Sequence, residues 1–541
     1  MLTLGMAVDA NVLIYERLRE ERQNGASLVV AIRNGYDRAL PTIIDTHLSS
    51  IFTAIVLYVV GNDQLKGFGI SLTAGLIISL FTSLYLTRTM FNMWLHMSRP
   101  TELNMLHLFR NPRINFMRIR WAMFYITLFL TVAGGALFLA RGKQGLDIDF
   151  NGGTAYTGAL KTPRDMAWIV DKFNSSSLPD RKVEQIFIAG SSEGAASKFF
   201  TVRTSEISTD KVASEVARVL GDDLEKNSLA SFQLGEKGKA GSSASTVQFS
   251  FSTEATLDQV SRVVKDSLQA RAKKGNQIPS SALASARVDP VGKSTAGRHS
   301  DFQLVLLEPV STTELAAVFE DVKARYAANP QPERLDNFNA SMAGATQGKA
   351  MGAIVASWLA IVLYLWLRFG NWTFGLAALL CLVHDLFFTL GAIAICHYLV
   401  GIPGLSTIFQ IQDFKIDLPA VAALLTLVGY SVNDTIVVFD RIREVRGRNP
   451  LLTEEMINDS VNQTLSRTVL ASLTTWLVVV VLYFSGAEGI HLFAFVMVIG
   501  VIVGTYSSIY IASPLLLMFG EGRAVTEEAT RQIVVAEDAA T

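Results

Sequence analysis

Apolar residues run along this chain in long blocks rather than in alternation. The stretches 43–60, 68–87, 121–140, 350–367, 373–399, 418–439, 468–484 and 490–519 each approach the ~20 mostly apolar residues that a membrane-spanning helix needs. An incomplete ninth opens the chain at 2–14. Between 141 and 348 no such stretch occurs, and the interval is long enough for a folded domain of its own. The pattern predicts a polytopic α-helical membrane protein with one large extramembrane domain.

Basic residues orient the predicted spans. Arg17, Arg19, Arg22, Arg33 and Arg38 crowd one connection, and Arg88, Arg99, Arg110, Arg113, Arg118 and Arg120 a second. Arg441, Arg443, Arg446, Arg448 and Arg467 mark a third. The alternate short turns at 61–67 and 485–489 carry one Lys and no basic residue respectively. Threading the spans in order puts the Arg-rich connections on the cytoplasmic side and 141–348 outside. The first span is then too short. About 13 residues rise ~20 Å, against a hydrocarbon layer of ~30 Å. The chain is therefore expected to begin within a helix, as a fragment or as the second half of a split or truncated protein.

Two segments repeat. Gly5-Met6-Ala7-Val8-Asp9-Ala10-Asn11-Val12-Leu13-Ile14-Tyr15-Glu16-Arg17-Leu18-Arg19-Glu20 aligns without gaps on Gly429–Glu444, at an offset of 424. With one residue added, Leu57-Tyr58 falls on Leu482-Tyr483, Phe68 on Phe493, Gly75 on Gly500, and Thr82-Ser83 on Ser507-Ser508. Hydropathy alone does not make polar and charged positions coincide. Each end of the chain is thus expected to carry the same three-helix unit in the same orientation, an arrangement that places function at the interface of the units.

Composition narrows the classes further. Of 541 residues, 50% are apolar and 18% charged, which argues against a purely soluble protein and more strongly against disorder and coiled coil. A net charge of −1 gives no reason to expect nucleic acid. Cys381 and Cys396 share one apolar run, so a disulfide scaffold and CxxC sites are excluded. Gly292-Lys293-Ser294-Thr295 lacks the leading glycine of a P-loop, because Arg287 stands there. No HExxH, Cys/His cluster or nucleophile elbow occurs, and no catalytic residue, cofactor or metal is expected.

The motifs carry a family resemblance. Gly5–Glu20 resembles the fourth-helix motif of SecD, and Gly429–Glu444 that of SecF. Leu465-Ser466-Arg467-Thr468 with Ser472-Leu473-Thr474-Thr475 is similar to the next SecF motif. Gly145-Leu146-Asp147-Ile148-Asp149-Phe150-Asn151-Gly152-Gly153-Thr154 resembles the entry into SecF's exported domain. Tyr364-Leu365-Trp366-Leu367-Arg368-Phe369 and His384-Asp385 fit its second and third helices. The chain is similar to the last part of SecD fused to a complete SecF, within the RND superfamily. The resemblance implies a multi-pass protein of the bacterial cytoplasmic (inner) membrane. It would act as an accessory of the Sec translocon that uses the proton motive force to promote protein translocation. Implied partners are SecYEG and its accessory proteins, the unfolded preprotein, and the missing N-terminal portion of SecD. An RND-type exporter of small molecules or lipids, and a non-transporting scaffold, are the alternatives.

Domain boundaries follow: 1–97 as the SecD-like transmembrane part, 98–120 as a cytoplasmic linker, and 121–140 as the first SecF-like helix. Next come 141–348 as the exported domain, 349–519 as five SecF-like helices, and 520–541 as a cytoplasmic tail.

Asp434 lies about 17 residues into an apolar helix that begins near Asp417. Carboxylates at such depth mark ion pathways. Thr426, Tyr430 and Asp434 share one helical face, and Arg467, Ala471 and Thr474 share a face of the next helix. A carboxylate stays ionised beside Arg and prefers its proton in apolar surroundings. Switching between those environments would carry H⁺, with Na⁺ as the alternative coupling ion. The resemblance implies the same relay role for Asp434 and Arg467, and makes Asp9, the repeat partner of Asn433, its SecD member. A static ion pair, or an interfacial Arg467 that starts its helix, are the other readings. His384-Asp385, Asn433 and Thr474 are expected as supporting groups. The His384-Asp385 pair is either titratable or a polar packing contact. Asp45 and His47 are expected at an interface, opening the second helix of the first repeat.

Within 141–348, strands are predicted at 154–160, 184–189, 198–204, 246–252, 283–288 and 302–308. Helices are predicted at 163–175, 209–226, 255–271 and 312–327, three of them after Ser/Thr caps at Ser208, Ser252 and Ser311. The order suggests an α+β, ferredoxin-like domain. Residues 234–246 read as a flexible insertion.

Overall fold

A computed structural model describes residues 2–60, 63–98, 112–186, 192–193, 196–234, 245–273, 278–292, 297–328, 330–402, 404–449, 451–486 and 488–521. Much of the 98–120 linker, most of the 234–246 insertion, Lys293-Ser294-Thr295 and nearly all of the 520–541 tail lie outside the described residues. Two compact units result: Met1–Asp147 with Ala345–Thr541, and Ile148–Gly344.

The first unit opens with α1 (Leu2–Gln23), α2 (Leu28–Val60), α3 (Asp63–Phe81), α4 (Thr87–Ser98) and α5 (Arg120–Arg141). One π-helical turn, Thr82–Leu86, joins α3 to α4.

The second unit holds two antiparallel sheets. Its strands are β1 (Gly153–Arg164), β2 (Lys182–Ile186), β3 (Ser192–Glu193), β4 (Ala196–Thr204), β5 (Leu229–Leu234), β6 (Ser245–Thr256), β7 (Arg287–Val291), β8 (Arg298–Leu306) and β9 (Arg334–Phe338). Four helices cover them: α6 (Met166–Phe173), α7 (Thr209–Leu220), α8 (Leu257–Lys273) and α9 (Thr312–Ala328). One sheet runs β2-β4-β1-β9, with β3 beside β4, and the other runs β5-β6-β8-β7. Each has the 4-1-3-2 order of a ferredoxin-like βαββαβ unit. The fourth strands are exchanged. β5 follows the first βαββα segment yet completes the second sheet, and β9 follows the second segment yet completes the first. Tyr156, Phe200, Ile169, Phe173 and Val216 fill one core; Phe249, Phe302, Val264 and Phe319 fill the other.

Three predicted details change. Residues 280–284 form a short helix, so the 283–288 strand begins only at Arg287. The cap of α8 is Thr256 rather than Ser252, because β6 continues to that residue and Thr256 Oγ1 accepts from Gln259 N at 3.3 Å. Strands β3, β5 and β9 were not predicted.

Arg298 ties both exchange points. Its guanidinium lies 3.1 Å from Glu333, just before β9, and 4.0 Å from Glu225, which precedes β5. Burial pushes the Glu333 carboxyl above its ordinary range. A carboxyl raised by folding binds more protons folded than unfolded, so its contribution is fullest at low pH. That contribution falls as pH rises from the unfolded value of 4.5 through the raised one. Relative to Glu333→Gln, wild-type hydrogen-exchange protection of β9 should therefore decline across that window. Parallel pH profiles of the two proteins would contradict it.

The membrane unit resumes with α10 (Ala340–Phe369), α11 (Trp372–Leu399), α12 (Leu418–Arg446), α13 (Glu454–Ser485) and α14 (His491–Ser507). A second π-helical turn, Ser508–Ala512, follows α14, one residue out of register with the first repeat's. Among the described residues, eight helices are long and apolar enough to span a membrane: Leu28–Val59, Leu65–Ser98, Met117–Gly145, Ser341–Phe369, Trp372–Leu399, Leu418–Arg446, Glu454–Ser485 and His491–Phe519. The chain is thus a polytopic helical membrane protein with a sheet-containing domain. Small residues set the closest crossings. A Cβ on Gly391 of α11 would lie 2.4 Å from Gly134 Cα of α5.

Candidate functional site

The site forms where the two repeats meet. Asp417 caps α12, accepting from Ala420 N at 2.8 Å, and Pro419 follows in the first turn, where its missing N–H costs nothing. Ala420, Ala422, Ala423 and Gly429 let neighbours approach, and the whole apolar window of α12 is buried. α12 packs on α2, and α1 packs on α13. The two contacts are repeat images. A Cβ on Gly5 would meet Thr475 Oγ1 at 2.7 Å, while one on the equivalent Gly429 would lie 3.5 Å from Ser50 Cα, in the residue equivalent to Thr475. The equivalent rings of Phe68 and Phe493 touch each other, with centroids 5.6 Å apart. Equivalent residues in mutual contact place the pseudo-two-fold axis between them.

Asp9, Asp434 and Arg467 are all buried, at 8%, 5% and 4% exposure. Arg467 Nη2 donates to Asp9 Oδ1 at 3.2 Å. Asp434 Oδ2 accepts from Ser472 Oγ at 3.2 Å, and Ser472 Oγ accepts from Thr505 Oγ1 at 2.7 Å. The expectation that Arg467 faces Asp434 directly is corrected: no ion pair within 4.0 Å joins them. The reason is packing, because the Gly5–Thr475 approach draws α1 against α13 and brings Asp9 to the guanidinium first. Nor does Arg467 start its helix; it is the 14th residue of α13, and its side chain is buried. Arg467 Nε and Nη1, Tyr430 Oη and Thr475 Oγ1 are buried without hydrogen-bond partners.

The supporting residues divide. Asn433 sits against Ser49 and Ser50 of α2, the repeat image of Asp9 against α13. His384 Nδ1 lies 3.0 Å from Asp385 Oδ1, and Tyr506 Oη lies 2.6 Å from His384 Nε2. Asp385 Oδ2 accepts from Ser431 Oγ at 2.5 Å and from Ser507 Oγ at 3.0 Å. This second polar cluster meets α12 one turn before Asp434. Thr474 is not brought to the site. Its hydroxyl donates back to Ala471 O at 2.9 Å, and the neighbouring residues Ser472 and Thr475 supply the polar face instead. Asp45 and His47 do not open a helix, because α2 starts at Leu28 and buries both. Asp45 accepts from Tyr364 Oη at 2.8 Å and pairs with Arg368 Nε at 2.5 Å, linking the first repeat to α10.

Sequence reading also missed a four-charge contact. Arg17 pairs with Glu444 at 3.0 Å, and its repeat image Arg441 pairs with Glu20 at 3.3 Å. The signal was present: Arg-x-x-Glu occupies the same aligned positions in both repeats.

Two parallel three-helix repeats with ionisable groups buried between them define a pseudo-symmetric helical membrane protein. The family model described as "Protein export membrane protein SecD/SecF, C-terminal" matches residues 1–97 and 318–522, and the chain belongs to that family. It is 29% identical over 524 residues to the protein translocase subunit SecDF of Brucella abortus biovar 1 (strain 9-941), covering 96% of this chain and 52% of that one. It is 40% identical over 229 residues to the protein translocase subunit SecF of Desulfurispirillum indicum, covering 40% of this chain and 68% of that one. The crystal structure of SecDF from Thermus thermophilus, titled a translocon-associated membrane protein, superposes with a TM-score of 0.62 at 25% identity, covering 96% of this chain and 54% of that one. The chain spans about half the length of the SecDF relatives it matches.

Proposed function

We propose that this chain is the proton-coupling part of an accessory to the Sec translocon of the bacterial inner membrane, acting with SecYEG and with the remaining SecD portion. The sheet unit would lie on the periplasmic side and hold unfolded preprotein as it emerges. The observation that carries this reading is the buried Asp9–Arg467 pair beside a second carboxylate, Asp434, at the repeat interface. One guanidinium facing two carboxylates has two arrangements. A proton on Asp9 releases Arg467 toward Asp434; a proton on Asp434 returns it to Asp9. Each arrangement favours a different packing of α1 against α13, so the proton's passage shifts one repeat against the other. No cofactor enters this cycle, and H⁺ is the coupling ion, with Na⁺ as the competitor to exclude.

Inverted membrane vesicles with and without the protein test the reading. Preprotein import should gain from the proton motive force only when the protein is present, in Na⁺-free buffer as well, and a protonophore should abolish the gain. Equal import in both vesicle types would overturn it.

A further inference from the structure

We propose that Glu16 is a further proton-carrying residue, the station between Asp9 and the arginine-rich end of the bundle. This deepens the proton-relay reading and rests on it. α1 places Glu16 seven residues after Asp9, two turns on and on the same face, with Leu13 between them. The Glu16 side chain is 10% exposed, and its ion pair, with Arg19, is long at 3.4 Å.

Space for a proton path adjoins it. Glu16 lines a cavity of about 20 Å³ with Leu13, Thr42, Val437, Asp440 and Thr464. That volume accommodates one water molecule, and the lining offers it polar partners. A polar cleft of about 690 Å³ lies alongside, with Glu20, Arg441 and Gln463 on the walls of both. The cleft reaches Ser466, the neighbour of Arg467. Between cleft and cavity stand the exchanged pairs Arg17–Glu444 and Arg441–Glu20, closed further by Arg17–Glu20 at 2.8 Å and Arg441–Glu444 at 2.7 Å.

The charges facing Glu16 are Arg17, Arg19 and Glu20 of α1, Asp440 and Arg441 of α12, and Arg467 of α13. The guanidinium that holds Asp9 is thus also one of the charges around Glu16. The repeat partner of Glu16, Asp440, lines the same cavity but is occupied: it pairs with Arg443 at 2.8 Å and accepts from Thr42 Oγ1 at 3.0 Å. Glu16 has the longer ion pair and lies on the helix that carries Asp9. In the export direction, protonated Asp9 gives its proton past Leu13 to water in the cavity, and that water passes a proton to the Glu16 carboxylate. Asp9, again anionic, recovers its bond to Arg467. Glu16 then releases the proton to water in the cleft.

The test is proton flux through the full-length protein in proteoliposomes holding a trapped pH dye, comparing wild type, Glu16→Gln, Glu16→Asp and Asp434→Asn. Glu16→Gln should lower the flux about a hundredfold or more, a typical loss for a positioned proton donor. Glu16→Asp should restore most of it with a displaced pH profile, which a merely structural carboxylate would not produce. Wild-type flux in Glu16→Gln, with Asp434→Asn inactive, overturns the Glu16 assignment alone. Undiminished flux in both overturns the relay and Glu16 with it.

Discussion

Asp434→Asn yields a folded membrane protein that no longer draws on the proton gradient. Asn keeps the volume and still accepts from Ser472 Oγ, so the 3.2 Å contact and the buried α12 seam persist. What it lacks is a protonatable oxygen, and the guanidinium loses the second carboxylate to which the proposed cycle would turn it. One charge crossing the membrane field is worth about 2.3 kcal/mol per 100 mV, a bias of about fifty-fold on a two-state bundle. The force-dependent part of preprotein translocation should fall by that order, while translocation without a gradient is unchanged. Size-exclusion behaviour and helix content of the variant check folding. A variant that keeps its full response to the gradient removes Asp434 from the relay.

Arg467→Leu has the largest expected effect on stability. The substitution leaves Asp9 buried at 8% exposure without its counter-ion. Breaking one side of a buried pair costs about 3–5 kcal/mol, because the remaining charge stays desolvated. Adding Asp9→Asn removes that charge, so the double variant should recover most of the loss. It should still fail to transport. Thermal unfolding in detergent supplies the four corners of the cycle. If the two substitutions simply add, Asp9 and Arg467 are not coupled and the pair plays no part in holding α1 to α13.

The block pattern of apolar residues made the spans legible, and the Arg-x-x-Glu-bearing motifs made the repeat legible, because both are written in local sequence. Which carboxylate reaches Arg467 was not. Asp9 and Asp434 are both chemically suitable, and the choice depends on how closely α1 approaches α13 at Gly5, a tertiary fact. Thr474 and Thr475 differ by one residue, hence by about 100° around the helix, beyond what face-counting along α13 resolves. Asp45 was misplaced because α2 begins with a polar, Pro41-containing portion that hydropathy does not join to the apolar half. The strands Leu229–Leu234 and Arg334–Phe338 escaped notice for another reason. Leu-Ala-Ser-Phe-Gln-Leu and Arg-Leu-Asp-Asn-Phe contain no β-branched residue, and Asp and Asn disfavour strands. Pairing with β6 and β1 makes them strands, and that pairing is long-range.

Because each sheet takes its closing edge from the other half, neither half is a self-sufficient folding unit. A break between Leu234 and Ser245 would strip the second sheet of β5 and the first of β9 together, leaving the flank of β1 open to any extended chain. A load applied to either half must peel both borrowed edges before the halves separate. Such a domain transmits a pull as one body, which is the mechanical property that the proposed hold on an emerging polypeptide requires.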